Sequence, residues 1–150
     1  MKYLVLLMFF CSFSYGQTTL NAFIGTEIVT YKFKNFSDPH LVGAINVMNI
    51  DEKGWIKEGT FGYSTMNSAD NLYVGIYLGK KYDKILLRSG ARMIGLLNTE
   101  SKTEIALCIL AGYQMNKSLT LNIDYGWLPS NVSLHTFGIN ALVKLYGEKE

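Results

Sequence analysis

The sequence has few of the residues that cross-link small domains, break secondary structure or keep a surface in water. Of 150 residues, two are cysteine and two are proline, and charged residues make up 17%, against about 25% in ordinary soluble domains. No apolar run reaches the roughly 20 residues of a membrane-spanning helix. After removal of the predicted signal peptide, residues 1–16, Cys108 is the single cysteine, and one cysteine excludes an internal disulfide scaffold.

Charge and motif content exclude several further functions. The formal net charge is +2 and no basic block occurs, so nucleic acid is not an expected partner. His40, His135 and Cys108 are not spaced as a metal site, and the short loops contain no acidic cluster. The sequence also has no phosphate-binding loop and no dinucleotide fingerprint. We therefore expect neither a metal nor a cofactor.

Residues 1–16 have the features of a cleaved secretory signal peptide. A lysine near the start precedes an almost entirely apolar run, Tyr3 to Phe13, and small residues lie one and three positions before Gln17. Cys11 is not preceded by the small residue typical of lipoprotein signals, so we do not expect a lipid anchor. The predicted mature part, residues 17–150, has the length of one domain.

Alternation of apolar and polar residues runs through the rest of the chain, and a period of two indicates β-strands. The pattern predicts eight strands, at residues 19–33, 40–50, 55–65, 71–81, 84–97, 103–115, 117–127 and 133–146. Their connections are short, and tight turns mostly alternate with longer loops. In the first strand the period slips after Thr26, which predicts a β-bulge or a change of register there.

The residue types on the two faces of these strands indicate which face points into a barrel and which contacts lipid. The polar face is mainly Gly, Ser, Thr, Asn and Ala, which suit a crowded barrel interior better than a surface in water. The apolar face has no charge at mid-strand, where one would cost about 2–4 kcal/mol against lipid. Lys32, Lys57 and Lys80 come nearest, and each lies near a strand end. We therefore predict an all-β, eight-stranded antiparallel up-and-down transmembrane barrel.

Aromatic residues near the strand ends fit the interfacial girdles of membrane barrels. The predicted girdle residues are Trp55, Tyr63, Tyr82, Tyr113, Trp127 and Tyr146. A secreted soluble lipocalin-like barrel, with the apolar face turned inward around an apolar ligand, is the alternative.

If the apolar face points to lipid, seven charged residues point into the barrel. They are Glu27, Glu58, Arg88, Arg92, Glu104, Asp124 and Lys144. Buried charges must pair, and by strand position Arg88 lies near Glu58 and Arg92 near Glu104. We predict a structural polar network that fills the interior. A narrow ion or proton path is the alternative, because eight strands leave too little lumen for a general pore.

Strand count, alternation and turn pattern resemble those of small outer-membrane barrels of the OmpX and OmpA-transmembrane-domain kind. The segment Thr136–Val143 is similar to the assembly signal of such barrels, although this chain continues to Glu150 instead of stopping on a terminal phenylalanine. The resemblance implies a porin-like architecture in a Gram-negative outer membrane. It also implies contact with membrane lipid and lipopolysaccharide, insertion by the barrel-assembly machinery, and a structural or surface-contact role without catalysis.

Ser133 and His135 are the candidate catalytic residues, and they share a face near one end of the last predicted strand. Outer-membrane lipid A deacylases of the PagL type use a histidine and a serine at this spacing. In them the order is His-x-Ser, whereas here it is reversed, and no carboxylate is evident to orient His135. A lipid A-modifying enzyme is thus a second alternative, and we predict that the chain is not an enzyme.

Overall fold

The computed structural model describes residues 16–31, 35–65, 71–95, 103–129 and 134–147. Its strands are β1 (Gln17–Tyr31), β2 (Asn35–Phe36), β3 (His40–Ile50), β4 (Trp55–Ser64), β5 (Asn71–Tyr82), β6 (Ile85–Ile94), β7 (Glu104–Gln114), β8 (Leu119–Leu128) and β9 (Leu134–Gly147). Within these ranges, no helix has the length and apolar character needed to cross a membrane. The predicted leader, apart from its last residue, lies outside the described residues.

The long strands form one closed antiparallel sheet. Each pairs with the next in chain order, and β1 also pairs with β9, which closes the wall. The two-residue β2 pairs with the end of β1 and adds no strand to the wall, which therefore has eight. The predicted all-β, eight-stranded up-and-down barrel is confirmed.

The stagger of the strands limits the space inside. The stagger is measured by following paired residues from each strand to the next around the wall. A path that starts at Leu20 on β1 crosses all eight strands and returns to β1 at Thr30, which is ten residues further along the chain. With roughly 3.3 Å per residue and about 4.8 Å between strands, this stagger corresponds to a strand tilt of about 40°, as in other closed barrels. An eight-stranded wall then encloses side chains and little more.

The first strand is more regular than its sequence predicts. It pairs with β3 without interruption from Gln17 to Glu27, and the shift of register lies between Leu20 and Asn21, in its pairing with β9. The slip predicted after Thr26 is therefore wrong. Thr26 is exposed and Val29 is buried. A polar residue therefore lies on the outer face and an apolar residue on the inner face, which imitates a change of register although the backbone alternates regularly.

The barrel has two different ends. We call the end with the turns 51–54, 83–84 and 115–118 the turn rim, and the opposite end the loop rim. At the turn rim the Asp51 carboxylate accepts hydrogen bonds from the backbone N–H groups of Lys53 and Trp55, at 2.9 and 2.8 Å. Gly54 has a φ of 80°, in the left-handed region that glycine tolerates. These local bonds explain why the turn can be so short.

Candidate functional site

The outer face of the wall is apolar and the inner face is polar or small. On β7, Leu107 is 50% exposed whereas the adjacent Cys108 is 3% exposed. The same alternation recurs around the barrel. Exposed apolar side chains of the wall include Ile24, Ile45, Phe61, Val74, Ile76, Leu87, Met93, Ile109, Ile123, Ile139 and Val143. We call this surface the apolar belt, and its outward direction is the reverse of the arrangement in a soluble barrel.

All six aromatic residues predicted at the interfaces lie on the outer face and are exposed. Those toward the turn rim are Trp55, Tyr82, Tyr113 and Tyr146, and those toward the loop rim are Tyr63 and Trp127. The apolar belt thus has aromatic side chains near both of its edges.

Inside the barrel, Arg88 and Glu58 form a buried ion pair. Arg88 Nη1 donates to Glu58 Oε2 at 2.6 Å, and both residues are almost fully buried. The pair bridges β6 and β4 across the intervening β5. Arg88 Nη2 also donates to the Asn122 side-chain oxygen on β8, so the guanidinium reaches side chains on both sides of its own strand.

Asparagine amides extend this ion pair around the barrel. Asn46 Nδ2 donates to Glu58 Oε1 at 2.6 Å, and Asn46 Oδ1 accepts from Asn21 Nδ2 at 3.1 Å. On the other side, Asn122 Nδ2 donates to Asn140 Oδ1 at 2.9 Å, and Asn140 Nδ2 donates to Asp124 Oδ2 at 2.7 Å. We call the set of Asn21, Asn46, Glu58, Arg88, Asn122, Asp124 and Asn140 the turn-side network.

A second ion pair lies nearer the loop rim. Arg92 Nη2 donates to Glu27 Oε1 at 2.5 Å and lies 3.5 Å from Thr136 Oγ1. His40 Nε2 lies 3.7 Å from the second Glu27 oxygen, and the Arg92 guanidinium lies 5.3 Å from the centre of the Tyr73 ring. We call these five residues the loop-side cluster. The partner of Arg92 is thus Glu27, across the barrel, and not Glu104 on the adjacent strand.

The other predicted interior charges occupy less enclosed positions. Asp124 is partly buried within the turn-side network. Glu104 is partly buried as the first residue of β7, at the loop rim, and Lys144 is partly buried toward the turn rim. The structure therefore brings Glu27, Glu58, Arg88, Arg92 and Asp124 into the interior networks and leaves the other two near opposite ends.

The asparagines that surround the ion pairs were not predicted from the sequence. Asn21, Asn46, Asn122 and Asn140 are all buried, and each stands at mid-strand on the polar face. Asparagine is otherwise depleted in strands, so its recurrence at these four positions was a usable signal of an interior hydrogen-bond network.

Tyr73 owes its position in the loop-side cluster to a glycine on the neighbouring strand. Gly62 on β4 is the pairing partner of Tyr73 on β5. A Cβ atom at position 62 would collide with the Tyr73 ring, so this ring lies against the bare backbone of β4. The glycine thereby leaves room for the ring on which Arg92 lies.

Little space remains between the two sets of polar residues. A cavity of about 10 Å³ is lined by residues of both, including Glu58, Tyr73, Arg92 and Asp124. That volume corresponds to about one water molecule, so it has no room for an organic ligand. Among the described residues, no group of three or more His, Cys, Asp or Glu side chains could hold a metal ion.

His135 lies on the outer face, away from these charges. Its Nδ1 is 2.8 Å from the Tyr125 hydroxyl, and the two rings stack with centroids 5.9 Å apart. Both side chains border an outward-facing groove of about 680 Å³, together with Ser89, Leu107 and Trp127. Ser133, the other candidate catalytic residue, lies outside the described residues.

Comparison with known proteins identifies the fold. No family model and no curated protein matches the sequence. A de novo designed transmembrane β-barrel matches with a TM-score of 0.61 and 18% identity over 88% of this chain and 98% of that chain. Ail, the attachment invasion locus protein of Yersinia pestis, matches with a TM-score of 0.54 and 13% identity over 87% and 99% of the two chains. Neisserial surface protein A matches with a TM-score of 0.54 and 14% identity over 85% and 97%. At these identities the likeness is one of fold, and that fold is the small outer-membrane β-barrel.

Proposed function

We propose that the chain is an integral outer-membrane barrel with a filled polar interior, serving a structural or surface-contact role without catalysis. One observation carries the proposal. A closed wall presents an apolar belt outward while two arginine–glutamate pairs are buried inside it. Lipid stabilises such an exterior, and paired charges make such an interior possible.

The direction of the faces argues against the soluble alternative. A soluble lipocalin-like barrel would need an apolar interior with space for its ligand. Here the described interior contains charged and amide side chains around a cavity of about 10 Å³. Apolar patches of this extent are also rare on soluble monomers and promote aggregation in water.

The interior contacts favour a plugged barrel over an open pore. Arg92 on β6 reaches Glu27 on β1, which is four strands away in either direction around the wall. This ion pair therefore spans the full width of the lumen. The expected partners are outer-membrane lipid and lipopolysaccharide around the belt, and the barrel-assembly machinery during insertion. We also propose, from the sequence alone, that residues 1–16 direct export and are removed.

The proposal is tested by electrophoresis of the chain extracted from the outer-membrane fraction. Without boiling, a closed barrel should migrate differently from the boiled chain on a semi-native gel, and it should resist carbonate extraction. Cys108 gives an internal control because its thiol is buried. A hydrophilic maleimide should label it after boiling and not before. A chain that is carbonate-soluble, shows no shift and is labelled without boiling would overturn the proposal.

A lipid A-modifying hydrolase is a second candidate, favoured by the position of His135 beside the outward groove. In a membrane this groove would face acyl chains, and the Tyr125 hydroxyl fixes the histidine ring at its border. If this reading holds, Ser133→Ala and His135→Ala should each abolish a change in lipid A mass. Unchanged lipid A in a deletion strain would exclude it.

A further inference from the structure

Three residues that line the small interior cavity each have a buried polar atom without a hydrogen-bond partner in the protein. Among the described residues, these atoms are the Tyr73 hydroxyl, Arg92 Nε and Asp124 Oδ1. Tyr73 and Arg92 are only 2% and 5% exposed. A buried polar group that finds no partner destabilises a fold. Three such atoms around one cavity therefore indicate a ligand that satisfies them.

The three side chains come from different strands, β5, β6 and β8, and each is held in place by another contact. Asp124 Oδ2 accepts a hydrogen bond from an asparagine of the turn-side network at 2.7 Å, and Arg92 Nη2 donates to Glu27. The Tyr73 hydroxyl lies against the backbone of Gly62, where a Cβ atom would collide with it. These contacts hold the three side chains around the cavity and apart from one another.

The size and chemistry of the cavity select a water molecule as its ligand. Its volume of about 10 Å³ is that of about one water. Arg92 Nε can only donate a hydrogen bond, an ionised Asp124 oxygen can only accept one, and the Tyr73 hydroxyl can do either. A cation would lie beside the Arg92 guanidinium and an anion beside the Asp124 carboxylate, whereas a neutral molecule that donates and accepts suits all three. Phe23 and Leu110 line the same cavity and enclose it with apolar surface.

We propose that this cavity binds one structural water, which accepts hydrogen bonds from Arg92 Nε and the Tyr73 hydroxyl and donates one to Asp124 Oδ1. Three hydrogen bonds are the usual number for a buried water. Arg92 belongs to the loop-side cluster and Asp124 to the turn-side network, so the water joins the two sets of polar residues into one. This inference rests on the filled polar interior proposed above.

A crystal structure of the refolded chain, at a resolution that shows ordered water, tests the site directly. One isolated peak of density is expected in the cavity, within about 2.7–3.2 Å of Arg92 Nε, the Tyr73 oxygen and Asp124 Oδ1.

A double-variant cycle tests whether the water couples the residues that hold it. Tyr73→Phe and Asp124→Ala each remove one of its contacts. The Tyr73 hydroxyl has no partner among the described residues, so it shares no hydrogen bond with Asp124. If the water joins them, the second substitution costs less once the first has weakened the site. In urea titration, the unfolding equilibrium constant of the double variant should be lower than the product of the single effects predicts, on the order of fivefold.

The matched control cycle replaces Tyr73→Phe by Thr30→Val. Thr30 Oγ1 is also buried without a partner in the described residues, but Thr30 does not line the cavity. Thr30→Val likewise removes one hydroxyl and keeps the shape of the side chain. Combined with Asp124→Ala, it should be additive to within about twofold in the unfolding equilibrium constant.

The outcomes separate the water site from the filled interior on which it rests. An empty cavity in the crystal, additivity of Tyr73→Phe with Asp124→Ala, or equal coupling in the control cycle would overturn the water site and leave the filled barrel intact. A continuous file of ordered waters from one rim to the other would overturn the filled interior itself.

Discussion

The two arginine–glutamate pairs of the interior have similar burial and different surroundings. Arg88 and Glu58 belong to a network of side-chain hydrogen bonds that joins six strands, and asparagine amides act in it as both donors and acceptors. Arg92 and Glu27 lie beside an apolar cluster that includes Tyr73, whose hydroxyl has no hydrogen-bond partner in the described part of the chain. The Nε atom of each arginine also lacks a partner there, so the difference lies in what surrounds the rest of each guanidinium.

This difference predicts that removing the glutamate lowers the free energy of unfolding by different amounts in the two pairs. Without Glu58, Arg88 would still donate to the Asn122 side chain. Without Glu27, Arg92 would retain Thr136 at 3.5 Å and the face of the Tyr73 ring. An uncompensated buried charge is the costly consequence of breaking an ion pair, so redundancy around each arginine should decide how large that cost becomes.

The largest effect should follow Glu27→Gln, which keeps the side-chain shape and removes the charge opposite Arg92. We expect the free energy of unfolding to fall by about 4 kcal/mol, as when one partner of a buried pair is lost. Urea titration of the refolded barrel, followed by tryptophan fluorescence, measures it. The matched control is Glu104→Gln at the loop rim, which should change stability by less than about 0.5 kcal/mol. Equal effects of the two variants would contradict the assignment of Glu27 as the partner of Arg92.

A smaller effect, about 2 kcal/mol, should follow Glu58→Gln in the same titration. The variant leaves Arg88 bonded to Asn122, and its new amide oxygen can still accept from Asn46. A loss equal to or greater than that of Glu27→Gln would show that the amides do not compensate for the missing charge.

Asn122→Ala should cost about 1.5 kcal/mol, because Arg88 and Asn140 each lose one hydrogen-bond partner while Glu58 remains. Combining it with Glu58→Gln removes both the negative charge that pairs with Arg88 and the side-chain acceptor of Arg88 on β8. The loss in the double variant should therefore exceed the sum of the two single losses and approach that of Glu27→Gln. Simple additivity would mean that the two residues do not substitute for one another.

The strands were predictable because each alternation is a local property of the chain. The predicted 40–50 coincides with β3, and the predicted 55–65 exceeds β4 by one residue. β1 was the exception. Thr26 points outward and Val29 points inward, so the polar and apolar residues do not alternate although the strand is regular.

Which charged residues point into the barrel was largely predictable from the sequence, but which of them form ion pairs was less so. Alternation assigns Glu27 and Arg92 to the inner face, and it identifies which strands are neighbours. Their ion pair joins β1 to β6 on the opposite side of the barrel, and which residues meet across a lumen depends on strand stagger and tilt. These are properties of the closed wall that no single segment encodes.

The smallest expected effect concerns the backbone beneath the loop-side cluster. Gly62→Ala would place a methyl group where the Tyr73 ring lies, so the ring must shift and its contact with Arg92 must weaken. Overpacking of this kind costs about 1 kcal/mol or somewhat more. Gly59→Ala is the matched control on the same strand, because a Cβ there meets no atom within 4 Å, and it should be neutral or slightly stabilising. Since β4 also carries Glu58, a general weakening of the strand would lower stability in both variants. A loss confined to Gly62→Ala would instead assign the cost to the ring that carries Arg92, and would show that the loop-side cluster depends on packing where the turn-side network depends on hydrogen bonds.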